Sequence, residues 1–214
     1  MAYDFDTIAR TYDRLNRVMT FSLDRCWRRY AVRGLKGEVL DVACGTGDMV
    51  LELKKHGCTV TGIDLSEEML SIAKTKASAT YIIGDAEHLP FPNETFNAVT
   101  CAFGVRNFVH LEQGLKEMLR VLKPGGRMVI LELATPDCAL IKPFYNLYTK
   151  HFIPWLGQRL ANNRDAYTYL TESIKHFPKG SEFLKLLGEN ATERKLTLDV
   201  CRMYTIEKQR GHCS

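Results

Sequence analysis

The fold of this chain is decided by the segment Val39-Leu40-Asp41-Val42-Ala43-Cys44-Gly45-Thr46-Gly47. Its first half is an apolar run typical of a buried strand, and its second half is a glycine-containing turn. A helical pattern follows from about Asp48 to His56, and further strands are predicted at Thr59–Asp64 and at 81–85. Because short strands alternate with helices, the sequence predicts βαβ units and a mainly parallel sheet.

The rest of the chain supplies four more predicted strands and four more helical regions. The strands are predicted at 98–102, 128–133, 195–198 and 200–207. Helical patterns cover 6–35, parts of the aromatic stretch within 136–180, and 181–187, and a helix before strand five ends at the turn 123–126. The predicted fold class is α/β: a doubly wound sheet of seven mostly parallel strands, with N-terminal helices and a helical insertion.

Length and composition exclude several classes of protein. The chain has 214 residues, 45% of them hydrophobic and 25% charged, which suits one domain with a full core. Lys and Arg number 29 against 25 Asp and Glu, without a basic cluster, so no nucleic-acid partner is expected. The seven cysteines form no C-x-x-C pair, and no metal site is predicted. With no apolar run of roughly 18 residues and no secretory signal pattern, a cytoplasmic protein is expected.

We expect a single domain over residues 1–214. Within it, the predicted regions are N-terminal cover helices (1–35), a cofactor-binding core (36–134), a helical insertion that forms a substrate region or lid (135–180), and a closing helix with strands (181–214).

Three predicted strands end in an aspartate, namely Asp41, Asp64 and Asp85. In a parallel sheet these carboxylates emerge at one edge, beside the glycine loop 45–47, where a ligand with cationic or hydroxyl groups would find acceptors. The alternative is that each aspartate only caps the next helix or turn. A dinucleotide site is also an alternative, but Val50 occupies the third glycine position of G-x-G-x-x-G. Since Asp41 would repel a pyrophosphate and attract an amino group, S-adenosylmethionine is favoured over NAD.

Several motifs resemble a known family. The segments 39–48, 62–66 and 84–87 resemble successive motifs of class I S-adenosylmethionine-dependent methyltransferases, which have a Rossmann-like fold. The glycine loop and the K-P-G-G turn at 123–126 mark only this superfamily. More specific are F-D-x-I-A-x-x-Y-D-x-L-N at 5–16, A-F-G-V-R-N-F at 102–108, and Y-L-x-E-S-I at 169–174. These resemble the ubiquinone/menaquinone-biosynthesis C-methyltransferases over nearly the whole chain.

The resemblance implies the cofactor-binding residues. Asp41, Gly45, Thr46 and Gly47 would line the methionine end of S-adenosylmethionine, Asp64 with its neighbour Leu65 the ribose, Asp85 and Ala86 the adenine, and Ala102 would approach through its backbone. The implied reaction is methylation of a ring carbon of a polyprenylated quinol precursor, leaving S-adenosylhomocysteine.

Arg106, Asn107 and Tyr12 are the candidate catalytic residues. Arg106 stays charged and cannot be a base, so its expected role is to stabilise a developing phenolate, with a purely structural ion pair as the alternative. Asn107 would orient the ring oxygen. Tyr12 would cover the site or only pack on its apolar helix face.

The sequence departs from the family pattern at some positions and leaves several functional alternatives open. Asp24 stands where a histidine is expected, Ala43 replaces the first glycine of the loop, and His88 and His110 are expected to be surface histidines. The alternative functions are a same-fold methyltransferase for another small molecule and a non-catalytic S-adenosylmethionine-binding protein. The aromatic insertion leaves a prenyl tunnel, a peripheral membrane contact and plain packing open, and a homodimer is a further alternative partner.

Overall fold

The computed structural model describes residues 9–153 and 172–210. The helices are α1 (Ala9–Met19), α2 (Leu23–Ala31), α3 (Asp48–Lys55), α4 (Glu67–Lys76), α5 (Leu111–Arg120), α6 (Lys142–Leu147) and α7 (Ser181–Leu187). A 3₁₀ turn covers Val105–Asn107, a π-helical turn covers Tyr148–Phe152, and residues 172–176 are helical. The strands are β1 (Glu38–Val42), β2 (Thr59–Asp64), β3 (Thr80–Ile83), β4 (Phe96–Ala102), β5 (Leu122–Leu133), β6 (Thr192–Leu196) and β7 (Cys201–Glu207).

All seven strands form one sheet with the order β3-β2-β1-β4-β5-β7-β6. The strands β1 to β5 pair in parallel, whereas β7 runs antiparallel to both β5 and β6. The order reverses between β1 and β4, which is where an open α/β sheet leaves a crevice at the carboxyl ends of its strands. The predicted fold class is confirmed.

Residues of the central strands alternate between two apolar layers. Met128 and Ile130 of β5 belong to the layer formed with α5 and α7, and Val129 and Leu131 belong to the layer formed with α2, α3 and α4. Because successive side chains of a strand point to opposite faces, a continuous apolar run such as β5 indicates a strand that is buried on both faces. A smaller cluster joins Leu15 of α1 to Ile153.

Two helix starts fix the backbone around the crevice. The Ser66 side chain accepts a hydrogen bond from the Met69 backbone N–H at 3.0 Å and so forms the N-cap of α4. Gly47 precedes α3 with φ +79°, and a Cβ there would lie 2.9 Å from the Cβ of Ala73. Gly47 therefore allows α3 and α4 to pack closely together.

The boundaries of β3, β4 and β7 differ from the prediction by one or two residues, and those of β5 and β6 differ by more. The sequence placed a strand at 195–198, but β6 covers Thr192–Leu196, and Thr197, Leu198 and Asp199 all have positive φ. The Asp199 carboxylate accepts hydrogen bonds from Arg202 and stabilises this left-handed turn, which no strand can include. The turn 123–126 follows the end of α5 as predicted but lies within β5, which starts at Leu122 instead of residue 128.

Parts of three predicted regions lie outside the described residues. These parts are residues 1–8 of the cover helices, residues 154–171 of the insertion, and residues 211–214 of the closing region. The motif positions 5–8 and 169–171 fall among them. In the part of the chain that is described, no helix is long and apolar enough to cross a membrane.

Candidate active site

A cavity of about 490 Å³ opens at the carboxyl edge of the parallel strands. Eight of the predicted site residues line it: Tyr12, Gly45, Asp64, Leu65, Asp85, Ala86, Ala102 and Asn107. They come from α1, the loops after β1, β2 and β3, the end of β4 and the 3₁₀ turn. The fold therefore brings together, at one cavity, predicted site residues that are up to 95 positions apart in the chain, from position 12 to position 107.

The glycine loop and the end of β2 are joined directly. The Asp64 carboxylate accepts hydrogen bonds from the backbone N–H groups of Gly45 at 2.7 Å and Ser66 at 3.0 Å. The same carboxylate lines the cavity. At Gly45 an added Cβ would meet nothing within 4 Å, and the loop presents only backbone there.

Asp41 lies within β1, behind the cavity wall, and does not line the cavity. Its side chain is 1% exposed, and Oδ1 accepts a hydrogen bond from the Thr100 hydroxyl at 2.6 Å. Oδ2 is buried and has no hydrogen-bond partner among the described residues. Burial raises the pKa of Asp41 to about 7, although the Thr100 hydrogen bond opposes this rise. The carboxylate therefore has one oxygen that a cationic ligand group would satisfy.

Thr46 and Gly47 also lie outside the cavity lining. The Thr46 hydroxyl donates to the Asp13 carboxylate at 2.5 Å and accepts from the Lys76 ammonium at 3.0 Å. Lys76 also pairs with Asp13 and, at 2.7 Å, with Asp48. Thr46 thus connects the glycine loop to α1 and α4. The hydrogen bonds of Thr46 and the close packing of Gly47 on Ala73 are both made with these neighbouring helices.

A second cavity, of about 280 Å³, lies between α1, α2, α6 and the π-helical turn. Its wall is mostly apolar and aromatic: Tyr12, Met19, Phe21, Leu23, Trp27, Phe103, Leu133, Ile141, Phe144, Tyr145, Tyr148, Ile153, Ile174 and Val200. Burial raises the pKa values of Tyr145 and Tyr148 to about 12, so both phenols stay protonated at neutral pH. The cavity suits an aromatic ring and has few polar groups to orient it.

Arg106 lines this second cavity and not the first. Its Nη1 donates to the Phe103 carbonyl at 2.6 Å and to Glu132 Oε1 at 2.5 Å. The side chains of Arg106 and Glu132 are 5% and 1% exposed, so the ion pair is buried. The ion pair that was the structural alternative is therefore present, and it holds the guanidinium at the cavity wall.

Sequence reasoning did not identify the charged residues that support this wall. Asp24 Oδ2 accepts from Arg28 Nη1 at 2.5 Å, and Asp24 Oδ1 accepts from the Thr20 hydroxyl at 2.9 Å. All three residues line the second cavity. The signal in the sequence was an oppositely charged pair at i and i+4 beside Trp27 on one buried helix face. Glu132 gave a weaker signal, a single acid within the apolar run of β5.

His88 and His110 are surface residues, and both line the larger cavity. His110 contacts Glu87 through its backbone N–H at 2.8 Å and its Nδ1 at 2.7 Å, and its side chain is 73% exposed. Burial opposes ionisation of Glu87, yet the hydrogen bonds from His110 hold the Glu87 pKa below its usual range. This pair closes one rim of the cavity.

Solved structures of methyltransferases share this architecture. An S-adenosylmethionine-dependent methyltransferase from Thermotoga maritima aligns with a TM-score of 0.68 at 19% identity, covering 96% of this chain and 98% of its own. The plantazolicin methyltransferase BpumL, solved with S-adenosylhomocysteine, aligns with a TM-score of 0.67 at 17% identity, covering 95% and 89%. At these identities the likeness shows the fold, which is the Rossmann-like methyltransferase fold. The class of the protein is a methyltransferase that uses S-adenosylmethionine.

The chain belongs to the ubiE/COQ5 methyltransferase family, whose model matches residues 2–202. The "Ubiquinone/menaquinone biosynthesis C-methyltransferase UbiE" of Geotalea daltonii is 43% identical over 95% of this chain and 94% of its own length. The "Demethylmenaquinone methyltransferase" of Deinococcus radiodurans is 41% identical over 96% and 91%. The family predicted from the motifs is confirmed.

Proposed function

We propose that this enzyme transfers the methyl group of S-adenosylmethionine to a ring carbon of a prenylated quinol. The cofactor would bind in the large cavity and the ring in the apolar one. The observation that carries the proposal is that the two cavities share Tyr12 and Phe103 in their walls. The names of the relatives, which act in ubiquinone and menaquinone biosynthesis, support the choice of a quinol as the acceptor.

The residues of the large cavity fit the proposed cofactor. The Asp64 carboxylate in the cavity wall suits the ribose hydroxyls, and the backbone around Ala86 and the Asp85 carboxylate suit the adenine. Asp41 would receive the methionine amino group at its unpartnered Oδ2, where an ammonium compensates a buried carboxylate. Gly45 has no side chain, and the space beside it is open. It would therefore leave room for the methionine end of S-adenosylmethionine.

The acceptor cavity supplies an apolar wall and two positively charged groups, Arg28 and Arg106, each of which is paired with a carboxylate. When bound, S-adenosylmethionine supplies an electrophilic sulfonium methyl for in-line displacement. Arg106 would stabilise the negative charge that develops on the ring oxygen, and Glu132 would keep the guanidinium in place. Asn107, on the 3₁₀ turn between the cavities, would orient that oxygen, and Tyr12 would cover the reacting atoms.

The reaction balances with one proton released. The ring carbon next to a deprotonated hydroxyl forms the new C–C bond, and the electron pair of the broken C–S bond stays on sulfur as a neutral thioether. The ring then loses the hydrogen on the methylated carbon to solvent and becomes aromatic again. Since Tyr145 and Tyr148 keep their protons at neutral pH, neither phenol accepts that proton.

The test is a transfer assay with a labelled methyl group. The purified protein is incubated with labelled S-adenosylmethionine and reduced demethylmenaquinol or a benzoquinol analogue, and the product is examined by mass spectrometry and NMR. Label on a ring carbon is the expected result. Cofactor binding without transfer to the quinols would overturn the quinol acceptor and favour another small molecule, or a binding protein if no acceptor is methylated.

We also propose that the mouth of the apolar cavity contacts a membrane surface that holds the prenylated acceptor. Phe21 and Phe144 line this cavity but are 71% and 75% exposed, and Leu147 on the same segment is 61% exposed. Exposed Lys142 and Lys150 flank Phe144 and Leu147, and this combination suits an anionic lipid surface.

A double variant tests the membrane contact. Leu140→Ser with Leu147→Ser changes two exposed side chains that line neither cavity, so the fold and the ring site should be retained. We expect weaker binding to vesicles that contain anionic lipid and a higher KM for the prenylated quinol, with an unchanged KM for a ring analogue without the tail. Equal vesicle binding by the variant and the unmodified enzyme would refute this contact.

A further inference from the structure

Phe103 lies between the two cavities. It follows β4 directly, and only it and Tyr12 line both cavities among the described residues. Its side chain is 7% exposed. Tyr12 and Phe103 therefore form the part of the wall that the two cavities have in common.

The backbone of Phe103 is held in an uncommon conformation. Its φ is +63°, a left-handed value that is rare for a bulky residue and that persists only where the surroundings fix it. The N–H donates to the Leu131 carbonyl at 2.8 Å, and the carbonyl accepts from Arg106 at 2.6 Å. At the next residue, Gly104, a Cβ would lie 2.7 Å from the Cβ of Ala43. Phe103 is thus fixed between β5, Arg106 and the glycine loop.

The ring of Phe103 is held by α2. Trp27 packs against it edge-on, with ring centroids 6.2 Å apart, and Cζ of Arg28 lies 5.0 Å from the ring centroid. The Arg28 guanidinium is fixed in turn by Asp24, which also accepts from Thr20. A cation over the face of an aromatic ring attracts it electrostatically and limits its rotation. A buried ion pair therefore holds the ring from the acceptor side.

From this geometry we propose that Phe103 determines the size of the group that is transferred from donor to acceptor, and that Arg28 is the residue that positions its ring. The proposal rests on the proposed function, because it takes the larger cavity as the donor site and the apolar cavity as the acceptor site. A rigid ring at the passage leaves room for a methyl group and excludes larger alkyl groups. It also keeps the acceptor ring at the short distance that displacement requires.

The size of the expected effect follows from the cost of one methylene. An extra methylene in a fitted apolar site changes discrimination by about 10- to 200-fold. The unmodified enzyme should therefore discriminate strongly between S-adenosylmethionine and its S-ethyl homologue. Removal of the Phe103 ring should remove most of this discrimination and leave the contacts with ribose and adenine intact.

The first measurement is binding without acceptor, by titration calorimetry. For the unmodified enzyme we expect a Kd for the S-ethyl homologue that is at least about tenfold higher than that for S-adenosylmethionine. In Phe103→Ala, and to a smaller extent in Phe103→Leu, the two Kd values should approach each other. Phe103→Leu retains most of the buried volume and covers the case in which the alanine variant fails to fold. An unchanged Kd ratio in the folded variants would overturn the proposal.

The second measurement is the ratio of ethyl to methyl transfer to the quinol. We expect this ratio to rise by about tenfold or more in the Phe103 variants, whereas general damage would lower both rates together. If the unmodified enzyme methylates no acceptor, the proposed function fails. If it methylates the quinol and the variants keep the ratio of the unmodified enzyme, only the proposal about Phe103 fails.

Two further variants separate position from packing. Phe91→Leu is the matched control, since Phe91 packs against Phe96 at 5.0 Å and lines neither cavity, and its ethyl-to-methyl ratio should not change. Arg28→Lys keeps a charge beside Asp24 but loses the planar group over the Phe103 ring. We expect an intermediate ratio for Arg28→Lys, and a ratio equal to that of the unmodified enzyme would refute the positioning role of Arg28.

Discussion

The two cavities of this enzyme differ in what builds their walls. The larger one is formed mainly by the ends of parallel strands and the loops that follow them, and it presents backbone groups and the carboxylates of Asp64 and Asp85. The smaller one is formed mainly by side chains of α1, α2 and α6, together with residues that follow β4 and end β5, and its charged groups are the paired Asp24, Arg28 and Arg106. The first is positioned by sheet topology, and the second by the packing of distant segments.

This difference implies different responses to substitution. Strand-end loops are held by the hydrogen bonds of the sheet, so a change there should alter ligand binding or local backbone strain. The apolar cavity is held by two buried ion pairs, so the loss of one charge should alter both stability and chemistry. Six substitutions at five positions test this distinction.

The largest effect is expected from Arg106→Ala. It removes the cation that we propose stabilises the acceptor ring oxygen, and we expect kcat to fall by about 10²- to 10³-fold. It also leaves Glu132 buried without its partner, and we expect the free energy of unfolding to fall by about 3–5 kcal/mol. Cofactor affinity should not change, because Arg106 is outside the larger cavity. Steady-state kinetics, urea denaturation and titration calorimetry measure the three quantities.

Arg106→Lys is the control for stability. Lysine keeps a positive charge near Glu132 but lacks the planar guanidinium, so stability should largely recover while kcat stays low. A weaker affinity for S-adenosylmethionine in either variant would contradict the separation of the two cavities.

Asp41→Asn tests the buried carboxylate behind the larger cavity. Burial raises the Asp41 pKa from 3.8 to about 7, so the folded protein keeps a proton that the unfolded chain has lost. The contribution of Asp41 to the free energy of unfolding is therefore fully present below pH 4 and lost as pH rises to 7, by about 4 kcal/mol. Denaturation of the cofactor-free enzyme from pH 4 to 8 should show that this loss is absent in Asp41→Asn.

The same variant should bind S-adenosylmethionine more weakly, by about 1.5–3 kcal/mol, which is typical of a hydrogen bond to a charged group. Identical pH dependence in the variant and the unmodified enzyme would show that Asp41 is not the titrating group. Unchanged affinity would exclude it from ligand binding.

Gly45 and Gly47 provide a matched pair within one loop. Both have positive φ, at +53° and +79°, but an added Cβ meets open space at Gly45 and the Cβ of Ala73 at Gly47. Gly47→Ala should therefore lower the free energy of unfolding by about 2–4 kcal/mol, from backbone strain and overpacking. Gly45→Ala should cost only about 1–2 kcal/mol and should weaken cofactor binding more than Gly47→Ala does. The reverse order of affinities would mean that Gly47 is the residue that faces the ligand.

Thr46→Val should have the smallest effect. It keeps the shape of the side chain and removes the hydroxyl that contacts Asp13 and Lys76, so stability should fall by about 1 kcal/mol. Calorimetric titration should give an unchanged cofactor affinity. A large loss of affinity would instead support the prediction, made from the motif, that Thr46 contacts the methionine end.

Some residues of the larger cavity could be placed from the sequence, whereas the orientation of Thr46 could not. Asp64, Asp85 and Ala102 could be placed at the larger cavity because each falls at or just beyond the end of a parallel strand. Thr46 belongs to the same motif, yet its hydroxyl faces Asp13, which lies 33 positions earlier on α1. A motif therefore locates a loop, but it does not determine which side of the loop each side chain faces.

The sequence by itself determined the sheet, its carboxyl edge and the family, because apolar periodicity and turn residues act over short stretches of chain. Only the tertiary structure decided that Arg106 pairs with Glu132, that Asp24 and Arg28 support Phe103, and that Phe103 lies between two cavities. These relations join segments that are distant in sequence. They depend on how helices pack on the sheet, and that packing leaves no local pattern in the sequence.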